Sequence, residues 1–132
     1  MKIIKKVWGE EHWIVNRSYC GKKLLLKGGF RSSIHHHRNK EETFYLVSGR
    51  MLLEVGDDPD ALERRFLSPG DVVDLMPGTW HRFSSIEDAE FFEFSTHHED
   101  SDSYRKTSSE RIPEDELAAL RREADESAAS ET

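Results

Sequence analysis

Three consecutive histidines, His35-His36-His37, are the first residues in this 132-residue chain whose spacing suggests chemistry. Side chains on a β-strand alternate between faces, so His35 and His37 share one face while His36 takes the other. Glu42 follows as an anionic oxygen donor, and His81 supplies a further imidazole after the Pro77-Gly78 turn. Three nitrogens and one carboxylate suit a divalent transition metal (Zn, Mn, Fe, Co or Ni) better than Mg or Ca. Such a set also leaves coordination positions open for water or substrate. His36 and His12 are read as packed or solvated residues.

The elements that must position these residues are short and β-rich. From Lys5 to about Phe94, apolar runs recur every eight to twelve residues between turn sequences, the pattern of a sandwich or barrel. Strands are predicted at His12–Val15, Lys22–Leu26, Ser32–His36, Thr43–Val47, Met51–Val55, Arg64–Leu67, Val72–Leu75, His81–Ser84 and Phe91–Phe94. Turn residues separate them, including Gly28-Gly29, Ser48-Gly49, Ser68-Pro69-Gly70-Asp71 and Pro77-Gly78. The fold class is therefore all-β, one domain over 1–106, followed by an acidic helix and tail over 107–132. Pro113 and Glu114-Asp115-Glu116 mark the start of that helix, and Leu117 and Leu120 give it a narrow apolar stripe. Beyond it, Ser127–Thr132 is expected to be loose, and the segment as a whole is read as a solubilising appendage, with docking onto the barrel or a partner subunit as the other reading.

Composition narrows the function classes. The net charge is -7, but 11 acids and 5 bases lie between Glu99 and Thr132, so the remainder is nearly neutral. No basic stripe interleaved with exposed aromatics is present, which argues against nucleic acid as a partner. The apolar runs are far shorter than the ~20 residues a bilayer crossing needs, so no membrane partner is expected. A single cysteine, Cys20, forbids an internal disulfide. With no signal-like start, it points to a reducing, cytoplasmic setting.

The spacing of Gly29, His35, His37, Glu42 and Gly49 resembles the first motif of the cupin superfamily, and Gly70, Pro77, Gly78 and His81 resemble its second. Met76 and Ser85 depart from the family pattern without removing a ligand. The resemblance implies a small jelly-roll β-barrel in which His35, His37, Glu42 and His81 bind the metal. Flanking segments are similar to the cupin domain of type II mannose-6-phosphate isomerases: Val7-Trp8-Gly9-Glu10, Lys27, Pro77 to Arg82, and Phe92-Glu93-Phe94-Ser95. That likeness implies a sugar or sugar-phosphate substrate, an isomerase or epimerase reaction, and a homodimer.

An isomerase also needs proton-transfer groups. Glu93, set among Phe91, Phe92 and Phe94, is the candidate base if it faces inward, where desolvation would raise its pKa. On the outer face it would be an ordinary strand carboxylate. Lys23 is the candidate acid. Lys23 and Lys27 share one face of their strand, and Lys22 takes the other. Arg31, Lys27, Arg38 and Lys40 are candidate contacts for an anionic substrate group. His97 and His98 are candidate proton carriers or residues of a polar loop. Two other readings stand beside the isomerase: an Fe(II)-dependent dioxygenase and a non-catalytic sugar-binding or regulatory module.

Overall fold

A computed structural model describes residues 1–130. It contains two antiparallel sheets that face each other, a short 3-10 turn and one C-terminal helix. The first sheet has the order β1-β2-β3-β11-β6-β9, where β1 is Lys2–Lys6, β2 Gly9–Asn16, β3 Tyr19–Leu26, β6 Glu42–Ser48, β9 Val72–Leu75 and β11 Ala89–Thr96. In the second sheet, β10 (Trp80–Ser85) is central. It pairs with β7 (Met51–Gly56) on one side and with β4 (Phe30–Arg31) and β5 (His35–His36) on the other. The strands β8 (Glu63–Leu67), β12 (Tyr104–Arg105) and β13 (Glu110–Arg111) complete it by pairing with β7, β5 and β4. This is a jelly-roll architecture.

Period-two alternation decides what each strand buries. On β3, Cys20, Lys22, Leu24 and Leu26 point inward; on β6, Glu42, Phe44 and Leu46; on β11, Ala89, Phe91 and Glu93. Leu24, Leu26, Phe44, Leu46, Met51, Leu53, Leu67, Val73, Phe83 and Phe91 form the main apolar core. Burying each such side chain contributes about 1.5–3 kcal/mol. Phe44, Phe83 and Phe91 meet ring to ring, with centroids 4.9 to 5.5 Å apart. The tight β6–β7 turn requires glycine at position 49: φ is 91° and an added Cβ would lie 2.4 Å from the Asp88 carbonyl oxygen.

The predicted strands are present and, apart from the two-residue strands β12 and β13, which carry no prediction, there are three differences. β1 carries no prediction, because Lys2–Lys6 has only two adjacent apolar residues, Ile3 and Ile4, between lysines and lacks the longer alternating run that marks a strand. The run Ser32–His36 is broken: β4 ends at Arg31 and β5 begins at His35. The third difference is at the C-terminus. Helix α1 spans Glu114–Ser130, so Ser127 to Ser130 are helical rather than loose, while Glu131 and Thr132 lie outside the described residues. Nor is the segment a solvated appendage. Ile112, Leu120 and Ala124 are buried, and Ile112 and Leu120 pack with Leu52, Phe66 and Leu117 over the outer face of the second sheet. The stripe on the helix is apolar as expected, but its partner face, made of alternate residues of β7 and β8, is not visible from the helix alone.

Candidate metal centre

His35, His37 and His81 converge inside one end of the barrel. His35 faces His81 across the β5–β10 ladder, and the donor atoms of the three rings all lie within 4.8 Å of one another. Glu42, at the start of β6 in the opposite sheet, brings Oε1 to 3.6 Å from His37 Nε2 and Oε2 to 3.6 Å from His81 Nε2. Each ring is fixed by its Nδ1, which donates to a main-chain carbonyl: Ser33 for His35 (2.9 Å), Asp102 for His37 (3.0 Å) and Thr79 for His81 (3.1 Å). That leaves every Nε2 as a free lone-pair donor. The Pro77-Gly78 turn is tied in as well, since the Gly78 N–H donates to the His37 carbonyl at 2.6 Å.

Electrostatics keep these rings in the ligating form. Burial holds His35 well below its ordinary pKa, lowers His37 to about 3 with help from Lys40, and lowers His81 to about 4. All three are neutral imidazoles at physiological pH. Burial, reinforced by the charge of Glu93, pushes Glu42 up to about 7. A carboxylate that resists standing alone as an anion, beside three neutral nitrogens with fixed lone pairs, is a donor set that fits a divalent transition metal.

A buried ionic cluster adjoins the histidines. Lys40 Nζ lies 2.9 Å from Glu42 Oε1, 3.2 Å from Glu93 Oε2 and 2.8 Å from His98 Nδ1, which satisfies its three donors. Lys40 and Glu93 are 3% and 4% exposed. Glu93 therefore faces inward, but the expected rise in its pKa is overturned. Burial does push upward, yet Lys40 and Lys22 outweigh it and hold Glu93 at about 2. All of its hydrogen bonds and ion pairs fall on Oε2, with Ser95 and Cys20 as further donors. Oε1 has no hydrogen-bond partner among the described residues.

The remaining expected contacts divide sharply. Lys40 lines the cavity; Lys23, Lys27, Arg31 and Arg38 do not. Lys23 lies on the outer face of β3, half-buried and 3.6 Å from Glu90, so it is no acid for this site. Its neighbour Lys22 is the inward residue, 1% exposed, beside Glu11 (3.5 Å) and the Trp13 ring (4.4 Å). Lys27 is exposed at the end of β3. Arg31 is turned away because β4–β5 carries an extra residue. Arg31 pairs with Ser84 and His35 with His81, so four steps on one strand match three on the other and the face switches. Its guanidinium is held instead by Glu110 and Glu116. Arg38 is exposed and stacks on Tyr104 at 4.1 Å. His97 is exposed, whereas His98 is buried in the cavity wall between Lys40 and Asp100.

Asp102 is a site residue that sequence reasoning misses. Its carboxylate accepts from the backbone N–H groups of Arg38, Asn39 and Lys40, and its carbonyl oxygen anchors His37. Nothing local in Glu99-Asp100-Ser101-Asp102 marks that role, because the partners lie more than sixty residues away. The whole constellation opens into a cavity of about 550 Å³, floored by Phe44, Phe83 and Phe91.

Comparison with known proteins agrees with this fold. The model of the cupin domain family matches residues 23–95, more than half of the chain. The chain belongs to the cupin domain family. Among solved structures it is similar to a point mutant of Bacillus subtilis oxalate decarboxylase OxdC (TM-score 0.70, 16% identity, 80% of this chain and 30% of that one). It is also similar to the capsular polysaccharide assembling protein CapF from Staphylococcus aureus (TM-score 0.67, 17% identity, 84% and 34%). KdgF from Halomonas sp. matches more fully along its own length (TM-score 0.61, 20% identity, 70% and 82%). The cupin chain thus spans about a third of the oxalate decarboxylase and CapF chains, and these likenesses establish the fold. No curated protein matches it in sequence. Among the described residues, no helix is long and apolar enough to cross a membrane.

Proposed function

We propose that this cupin is a metal-dependent enzyme that isomerises or epimerises a small polyhydroxylated substrate of the sugar class. The observation that carries the reading is the set of three neutral imidazoles, each locked through Nδ1 to a main-chain carbonyl, beside Glu42 and a buried Lys40–Glu93 pair in one cavity. His35, His37, Glu42 and His81 would hold the metal. When bound, a divalent cation supplies Lewis acidity toward a carbonyl or hydroxyl oxygen, which acidifies the adjacent C–H.

The chain's own groups then handle the proton. Glu93 is ionised, and its Oε1 is the available acceptor for a proton leaving carbon. Held at about 2, it is a weak base, so the step depends on an acidified carbon. Lys40 is protonated, kept so by Glu93 and Glu42 against the opposing effect of burial; its three donors are taken by Glu42, Glu93 and His98, so its part is to stabilise, by its charge, the negative charge that develops on a substrate oxygen. His98 fixes the Lys40 ammonium through Nδ1 and donates from Nε2 to Asp100. The apolar floor keeps water from the reacting face.

The sugar class rests on the likeness to type II mannose-6-phosphate isomerases read from the flanking segments. A homodimer is part of the same proposal, supported by the apolar outer face of the first sheet, where Tyr45, Val72 and Phe94 are exposed. The test is to load the protein with Zn, Mn, Co or Fe(II) and follow deuterium exchange from solvent into aldoses, ketoses and their phosphates without oxygen. Exchange is expected, and Glu93→Gln should slow it by about 100-fold or more with metal content unchanged. Oxygen uptake with Fe(II) and no exchange would replace this reading with a dioxygenase; affinity without turnover would make it a binding module.

A further inference from the structure

Four acids and four bases line the cavity, a formal balance when all are ionised. Glu11, Glu42, Glu93 and Asp100 are the acids, and Lys6, Lys22, Lys40 and Arg105 are the bases. A divalent cation on the imidazoles, as the proposed function requires, leaves an excess of two positive charges. Excess charge above a phenylalanine floor is costly in a partly desolvated space unless a counter-charge enters.

The bases are not equivalent. Lys22 is paired with Glu11, and Lys40 with Glu42 and Glu93. The side chains of Arg105 and Lys6 have no hydrogen bond or ion pair among the described residues, although the Lys6 charge is felt at Asp100. Arg105 sits directly opposite His35 in the β5–β12 ladder, so the two share a face, and its charge acts on the His35 ring. Lys6 reaches the same cavity from β1 in the other sheet. A guanidinium without a partner, at the mouth and beside a metal ligand, is a fork for an oxyanion.

We infer that the substrate of this cupin is dianionic, a phosphate monoester or a dicarboxylate. Its anionic group docks on Arg105 with Lys6 on the facing wall, and its reacting oxygens point inward to the histidines. The inference rests on the metal-centre reading for its charge balance, but the anchor can be tested apart from turnover. Calorimetric titration of the Zn-loaded and the metal-free protein with inorganic phosphate and with malonate, using glycerol as the neutral control, reads it directly. Both anions should bind the loaded protein more tightly than the metal-free one. Arg105→Ala should weaken binding by about tenfold or more in both forms, Arg105→Lys by less, and Lys6→Ala by a smaller factor. Metal content measured on the same samples should not change. Preference for phosphate or for malonate identifies which dianion the site takes. Unaltered anion affinity in Arg105→Ala, or glycerol binding as tightly as the anions, overturns the inference. A wild-type protein that retains no metal instead overturns the metal-centre reading, while the Arg105 dependence of the metal-free protein still decides the anchor.

Discussion

The two ends of the barrel are built from the same strands and differ in what those strands carry on their inner faces. Along β6 the inward residues run Leu46, Phe44, Glu42; along β11, Ala89, Phe91, Glu93; along β3, Leu26, Leu24, Lys22. On β10, Phe83 is followed outward by His81. At one level across both sheets, oil gives way to ionisable groups, and the phenylalanine cluster marks the boundary. One end holds the fold together, while the other gives up stability for chemistry, because the attraction within buried ion pairs seldom offsets their desolvation.

The comparison can be broken most severely at the boundary. Phe83→Ala should cost about 3–5 kcal/mol of stability, read from urea unfolding, and should leave the metal stoichiometry of the folded fraction intact. His81→Ala, two residues away, should do the reverse: loss of metal by elemental analysis with a far smaller loss of stability. Equal effects on both properties would deny that the two ends are separable. Next comes Lys40→Met, which strands Glu42 and Glu93 together and should destabilise by about 3 kcal/mol, part of which Glu93→Leu in the same chain should restore. Asp102→Asn replaces one carboxylate oxygen by a donor facing the Lys40 amide and should cost about 1–2 kcal/mol, with metal affinity weakened by about tenfold. The smallest effect is expected for Lys23→Ala, within about 0.5 kcal/mol, since its pairing with Glu90 is open to solvent on the outer face.

What the sequence discloses follows the range of the forces involved. The histidines and Glu42 are legible because their spacing lies within two short motifs, and the convergence of His35, His37 and His81 is the consequence. Strand parity is legible where one face is plainly apolar and misleading where it is not. Leu24-Leu25-Leu26 is apolar on both faces, so nothing in that run separates Lys22 from Lys23. Arg31 is misplaced by the irregularity at Ser32–Ile34, which alternation cannot reveal. Arg105 and Lys6 lie on strands of two and five residues, too short for a periodic signal. The pKa of Glu93 depends on Lys40 and Lys22, which approach it only through the fold.

The histidines of the candidate centre come from or adjoin one sheet, while Glu42 comes from the other, so an ion held by all four would act as a rivet between the two walls. Unfolded chain cannot assemble those donors, and occupancy therefore transfers its binding energy to the closed barrel. Heat would open the metal-free protein at the mouth first, and a loaded protein would have to lose its rivet before the walls could part.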